Sequence, residues 1–273
     1  MTQPIKRLVV SLDAVSETGL AIDTAARLAA RWHVPLHGVF IEDEQLIGLA
    51  GLPFARQVTL TTGLGPLTKN HIEDHFRAFA ERSRRELAAA ADRHGIQWSF
   101  EVVRGSLAAA AVGGEHDFVV AGATTRPVGD YFRIASRCWS LMTILARPLL
   151  LAKRQWETGG SIFALLHRRD PQSGRMLEIT AQIAGISRAA LTVAAPPDLA
   201  GADDFAAWVS GFREGHSLTL QTETAATEPA ALRQRIIELD CRLLVLEGSQ
   251  GEGRPEELRE LVEPLACDVL IVR

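Results

Sequence analysis

Residues 116–154 restrict the fold more than any other stretch of this chain. Residues 118–121 form a short valine-rich apolar run that stops at Gly122, and residues 149–152 form another. Runs this short, with no polar residue on either alternating face, are what a strand covered on both sides of a parallel sheet requires. Between them lie a loop containing Thr125 and Arg126 and a helical stretch that breaks at Pro148. Strand, loop, helix and strand in this order predict a βαβ unit. A small-molecule site in such a unit belongs at the carboxyl ends of the strands, where loops feed helix N-termini.

The rest of the chain repeats the alternation. Apolar runs at 8–12, 35–41 and 97–103 read as strands, and residues 71–94 as a helix stopped by Gly95. A helix also follows the first strand, with Ala21, Ala25, Leu28 and Trp32 on one face. Residues 106–112 read as a short alanine-rich helix. Beyond a Gly159-Gly160 linker the same order returns in fewer residues. Strands are predicted at 162–166, 190–194, 218–222, 243–246 and 269–272, with helices at 175–184, 205–212, 229–239 and 256–265. Alternation of this kind gives parallel sheets with right-handed crossovers and helices on both faces. The expected organisation is therefore an α/β chain of two tandem doubly wound parallel-sheet domains, 1–154 and 161–273, joined by a linker at 155–160. Residues 42–70 stand out as an insertion in the first. Leu46, Ile47, Leu49, Leu52, Pro53 and Phe54 form an apolar cluster there. It reads either as an Ω-like loop over the domain's own core or as a lid or contact for a partner protein.

The loop after residues 118–121 has a recognisable spacing: Gly122, two residues, Thr125, nine residues, then Ala135-Ser136. This resembles the nucleotide loop of universal stress proteins, in which two further glycines stand where this chain has Thr125 and Ala135. The resemblance covers nearly the whole chain in its tandem form, where two halves pack as a pseudo-dimer. It implies the adenine nucleotide alpha hydrolase-like fold, a regulatory role in stress response and the possibility of ATP as ligand. Carried over by position, the nucleotide-binding candidates are Asp13 after the first strand, Ile41 at the end of the second, Gly122, Thr125, Arg126 and Ser136. Glycines let backbone N–H groups approach phosphate, so Thr125 and Ala135 crowd the loop, whereas Arg126, Arg133 and Arg137 offer compensating charge. In the second half the corresponding loop keeps Gly248 and Gly251, but its spacer is shortened and Pro255-Glu256 replaces Gly-Ser. A glutamate at a helix N-terminus repels phosphate. His167 stands near the position of Asp13. The second half is expected to have a structural role.

Charge supports a division into two unlike parts. Up to Arg154 basic residues exceed acidic by three, and beyond it acidic exceed basic by seven, for a net charge of −4 over 273 residues. That balance gives no footprint for nucleic acid. The longest apolar stretch, 141–152, is interrupted by Arg147 and is too short to span a bilayer, and the apolar run after Lys6 and Arg7 is too short for a signal peptide. Cys138, Cys241 and Cys267 have no metal-type spacing and read as small core residues of a reducing compartment. The expected location is cytoplasmic.

Other chemistry is thinly represented. His71 and His75 sit one helical turn apart with Glu73 and Asp74 between them, but they flank an apolar face and lack a further ligand, so they read as surface histidines rather than a metal site. There is no G-x-S-x-G elbow, no P-loop and no G-x-G-x-x-G fingerprint. No catalytic residue is assigned. Two functions follow. The first is a stress-response binding protein without tight ATP binding, paired within the chain or as a homodimer and able to contact a protein through 42–70. The alternative is an ATP-binding, slowly hydrolysing switch that uses residues 122–136.

Overall fold

The computed structural model describes residues 5–14, 18–50, 52, 56–59, 63–105, 114, 116–123, 145–212, 218–226, 228–248 and 255–273. The first part contains β1 (Arg7–Leu12), α1 (Thr18–Trp32), β2 (Leu36–Asp43), α2 (Glu44–Leu49), β3 (Arg56–Thr59), β4 (Gly63–Pro66), α3 (Lys69–His94), β5 (Trp98–Gly105), β6 (Asp117–Gly122) and β7 (Leu149–Ala152). There follow β8 (Ser161–Leu165), α4 (Pro171–Ser187), β9 (Ala190–Ala195), α5 (Pro197–Ala200), α6 (Phe205–Gly211), β10 (Leu220–Thr224), α7 (Pro229–Glu238), β11 (Cys241–Glu247), α8 (Pro255–Val262) and β12 (Asp268–Val272).

Ten of the strands form one sheet in the order β10-β9-β8-β11-β12-β7-β6-β1-β2-β5. Its two runs of five have the same internal order: each starts from its first strand, places the second and third on one side and the fourth and fifth on the other. All neighbours are parallel except β12 and β7. The expected parallel sheets are thus continuous through one antiparallel joint. Every residue of β6, β7 and β12 is buried, which is why their sequences lack polar alternation. Apolar layers lie on both faces. One contains Leu8, Phe40, Leu87, Phe118 and Leu177, and the other contains Val9, Ile41, Leu151, Phe163 and Val269.

The joint is closed at both ends. Leu150 lies opposite Leu270, with Leu149 opposite Ile271 and Leu151 opposite Val269. At one end Asp268 Oδ1 accepts from the backbone N–H groups of Lys153 and Arg154 at 2.7 and 3.0 Å. Lys153 Nζ donates to the carbonyls of Val262 and Leu265 at 2.8 and 2.9 Å. At the other end Arg273 donates to the carbonyl of Leu145 at 2.6 Å. Leu145-Ala146 and Leu265-Ala266 precede Lys153 and Arg273 by the same interval, and Lys153 and Arg273 follow β7 and β12 directly. Each run therefore sends the cation after its fifth strand to the carbonyl that precedes the fifth strand of the other.

Helix ends follow from local chemistry. Thr68 caps α3 by accepting from His71 N, and Gly95 ends it with φ 64°, a left-handed conformation that glycine adopts without strain. α4 starts at Pro171, earlier than periodicity alone places it, because Asp170 caps Ser173 N at 2.8 Å and proline fits the first helical position. The third strand of the second run lies two residues later than predicted, and the short α5 is unanticipated. The expected Ω-like loop at 42–70 holds more regular structure, α2 and the β3–β4 hairpin, and its Leu46 and Ile47 pack over the core. The helical stretches predicted at 106–112 and before Pro148 fall outside the described residues.

Candidate functional site

β1 is where the chain's direction of progress across the sheet reverses, with β2 on one side and β6 on the other. Crevices at such switch points, outside the carboxyl ends of the strands, are where open α/β sheets hold ligands. Ser11 pairs with Ala121 and with Val39. Two residues further on, Asp13, Ile41 and Ala123 emerge side by side from three adjacent strands, with Gly122 between β6 and its loop. The fold therefore brings together Asp13, Ile41 and Gly122. Asp13 is only 6% exposed, an unusual position for a carboxylate, and Ile41 and Ala123 supply an apolar floor. Thr125, Arg126 and Ser136, together with Arg133, Ala135 and Arg137, lie outside the described residues.

The second run has the corresponding switch point at β8, between β9 and β11. Here the chain's own side chains occupy the strand ends. Glu247 Oε2 accepts from His167 N at 2.9 Å. Gln172, in the first turn of α4, donates to the carbonyls of Gly248 and Val272 at 3.0 and 3.2 Å. Arg273 lies so close over Gly248 that a Cβ there would overlap its Cγ and Nε. Half-burial lowers the pKa of the Arg273 guanidinium. His167 does stand at the end of the first strand of its run, as Asp13 does in the other. The side chains beside it are engaged within the chain through Glu247 Oε2 and Gln172, while Glu247 Oε1 and Arg273 Nε are buried without a hydrogen-bond partner among the described residues.

At the end of β2 the insertion begins without a break. Asp43 caps α2 by accepting from Gln45 N at 2.8 Å. Leu46 and Ile47 pack against the core, while Leu49 and Leu52 are 49% and 38% exposed. The neighbouring Glu42 pairs with Arg104 at 2.9 Å, and Arg104 also reaches Glu73 at 3.4 Å. The hydrogen bond to Glu42 raises the Arg104 pKa. These three residues line a surface pocket of about 220 Å³ with Arg77, Ala80, Glu81 and Val102. Its carboxylates and guanidiniums largely neutralise one another, so it lacks the uncommitted charge of a binding site.

A polar network at the opposite, amino end of the strands was not legible in the sequence. Arg7 of β1 makes a two-pronged contact with buried Asp117 of β6, at 3.2 and 2.7 Å. That hydrogen bond raises the Arg7 pKa, against the effect of partial burial. His37 of β2 lies between Ser99 Oγ at 2.7 Å and Glu101 Oε1 at 3.2 Å, both on β5. The three share one face of two paired strands and tie the edge strand to its neighbour. Elsewhere His71 and His75 are exposed on α3, and among the described residues no group of three His, Cys, Asp or Glu is placed to hold a metal ion. Among them, too, no helix is long and apolar enough to cross a membrane.

Solved structures with this arrangement exist. A universal stress protein from Archaeoglobus fulgidus superimposes with a TM-score of 0.68 over 98% of this chain and 96% of its own, at 13% identity. The fold is that of the universal stress proteins. A universal stress protein assigned in Pseudomonas aeruginosa matches with a TM-score of 0.63 at 16% identity, over 98% of this chain and 92% of its own. A functionally unknown protein from the same species gives 0.61 at 17% identity, with the same coverage. No protein-family model and no curated protein matches the sequence. The likeness to the universal stress protein fold is thus one of backbone, with the side chains of the site left to speak for themselves.

Proposed function

We propose that this chain is a stress-response binding protein of the universal stress type, built as an intramolecular pseudo-dimer of two domains, 1–154 and 161–273, linked by 155–160. The observation that carries this reading is that the chain's own side chains close the second of two corresponding crevices. In the first, Asp13 is held at the strand ends beside Ile41 and Gly122. In the second, Gln172, Glu247 and Arg273 occupy the same place. Ligand binding then belongs to the first half, and the second half is its permanent structural partner. Thr125 and Ala135, where the family's nucleotide loop has glycines, weaken the approach of backbone N–H groups to phosphate, so ATP is not a tight ligand and the protein turns nothing over. Exposed Leu49 and Leu52 on the insertion present an apolar contact for a partner protein.

The rival reading, an ATP-binding and slowly hydrolysing switch, draws on the near-burial of Asp13 at the switch point. A calorimetric titration of the full chain with MgATP, ADP and AMP separates the two. The binding-protein reading expects no heat beyond dilution. One nucleotide bound per chain, with binding lost in Asp13→Ala, would overturn it and install the switch.

A further inference from the structure

β11 begins with an irregularity: its register against β8 shifts between Cys241 and Leu243. Along a regular strand Cys241 would share the face of Leu243 and Val245. Those two lie in one apolar layer, but Cys241 lies in the other, with Leu244 and Leu246. Re-aiming one side chain is what a bulge does. The residue toward which Cys241 is turned is Cys267, in the same layer and one position before β12. β11 and β12 are adjacent, with Leu243 opposite Asp268, so the two cysteines stand at one level on neighbouring strands. Strands about 4.8 Å apart satisfy the Cα separation of roughly 4.4–6.8 Å that a disulfide needs. Both residues are buried. Read from sequence as separate core residues, they form a pair.

The surroundings favour a reactive partner. Lys153 Nζ, fixed by the carbonyls of Val262 and Leu265, places its charge near Cys267. The hydrogen bond from Cys241 lowers the Cys267 pKa, against burial and with help from Lys153, while Cys241 is pushed up. The Cys241 thiol donates to the Leu243 carbonyl at 3.1 Å.

We propose that Cys241 and Cys267 are an oxidisable dithiol that closes to an intramolecular disulfide on reaction with peroxides. The Cys267 thiolate attacks one peroxide oxygen and the O–O bond breaks. The departing oxygen takes a proton and leaves as water or alcohol, and Cys267 becomes a sulfenic acid. Cys241 sulfur then attacks Cys267 sulfur, and the hydroxyl leaves as water with the Cys241 proton. Two thiols and one hydrogen peroxide give one disulfide and two waters. The bond would enclose α8 and the carbonyls that hold Lys153, and so stiffen the second half at the joint.

The test uses the full chain carrying Cys138→Ser, which leaves these two thiols alone, with wild type in parallel. After treatment with hydrogen peroxide, the protein is denatured, alkylated and weighed. The expected result is a loss of two hydrogens, about 2 Da, with no alkylation, reversed by dithiothreitol. Peptide mapping should join Cys241 to Cys267. Adding Cys241→Ser should abolish the mass loss and leave a Cys267 sulfenic acid that dimedone traps. Circular dichroism before treatment establishes that each variant is folded. Two alkylated thiols after peroxide, a gain of oxygen without cross-linking, or a bond between chains or to Cys138 in wild type would each overturn the proposal.

Discussion

Asp268 offers the sharpest test of how the two runs are held together. Its Oδ1 receives both N–H groups at the end of β7, and the residue is only 7% exposed. Alanine would leave these two donors without an acceptor. A buried unsatisfied donor costs about 1–3 kcal/mol, so with two donors Asp268→Ala should lower unfolding stability by about 2–6 kcal/mol at neutral pH. Asparagine keeps an oxygen in place without burying a charge. Burial raises the Asp268 pKa, and it does so despite the two backbone hydrogen bonds and the charges of Arg154 and Lys153. The folded state therefore holds this proton more firmly than the unfolded chain does. The group's contribution to stability is full below the ordinary aspartate range, falls as pH rises through the raised value, and then levels off. Asp268→Asn lacks that dependence, so it should match or exceed wild type at pH 7 and lose the advantage in acid. Urea unfolding of the three proteins, at about pH 7 and about pH 4, measures both effects. A loss below about 0.5 kcal/mol in the alanine variant, or an asparagine variant as weak as alanine, would refute the argument.

Two further substitutions probe the core and a cap. Gly38→Ala puts a Cβ 2.8 Å from Leu87 Cδ2 and 2.9 Å from Phe100 Cδ2. Overpacking of this kind should cost about 1–3 kcal/mol in thermal unfolding, and an unchanged melting temperature would show that β5 and α3 yield freely. Asp170→Ala removes the cap of α4 and should cost about 1–2 kcal/mol at neutral pH. Burial pushes the Asp170 pKa up, but hydrogen bonds from Ser173 and the charge of Arg168 outweigh it and leave the pKa lowered. Its stabilisation is therefore present above the ordinary aspartate range and lost as pH falls through the lowered value, so the penalty should shrink in acid. An equal penalty at about pH 2 would mean that the cap acts without its charge.

The elements legible in the sequence were those whose burial leaves one solution. The runs at β6, β7 and β12 are apolar on both faces because they are covered on both faces, and Gly95 marks a left-handed helix end that few residues tolerate. Asp13, Ile41 and Gly122 were singled out by resemblance to the universal stress proteins, and strand order sets them on three adjacent strands. What could not be read depends on pairings distant in the chain. The fifth strand of each run has the same composition whether its edge is free or joined, so the antiparallel β12–β7 joint leaves no local signature. His37 and Ser99 meet only because β5 lies beside β2. Cys241 reaches Cys267 only because a bulge reverses its face. The hairpin of the insertion was hidden by the short, glycine-rich GLGP strand, which lacks the alternation that marks a half-buried strand.

The joint also bears on whether a homodimer is needed. Strand-edge association consumes an unpaired edge, and β7 and β12 have spent theirs on each other. The remaining edges are β5 and β10. On β5, Arg104 is tied to Glu42, and Glu101 keeps half of its side chain in solvent. On β10, Glu223 is locked by a two-pronged contact with Arg235. Charged residues along an edge oppose the addition of a further strand. Meanwhile the reciprocal contacts of Lys153 and Arg273 give the joint what a symmetric dimer interface would contain, each run supplying to the other the group that it receives. On the proposed reading, pairing within the chain stands in for pairing between chains through these edges. On the same reading the second half need not bind ligand itself: so long as β12, Asp268 and Arg273 hold the joint, His167, Gln172 and Glu247 can close its crevice without disturbing Asp13.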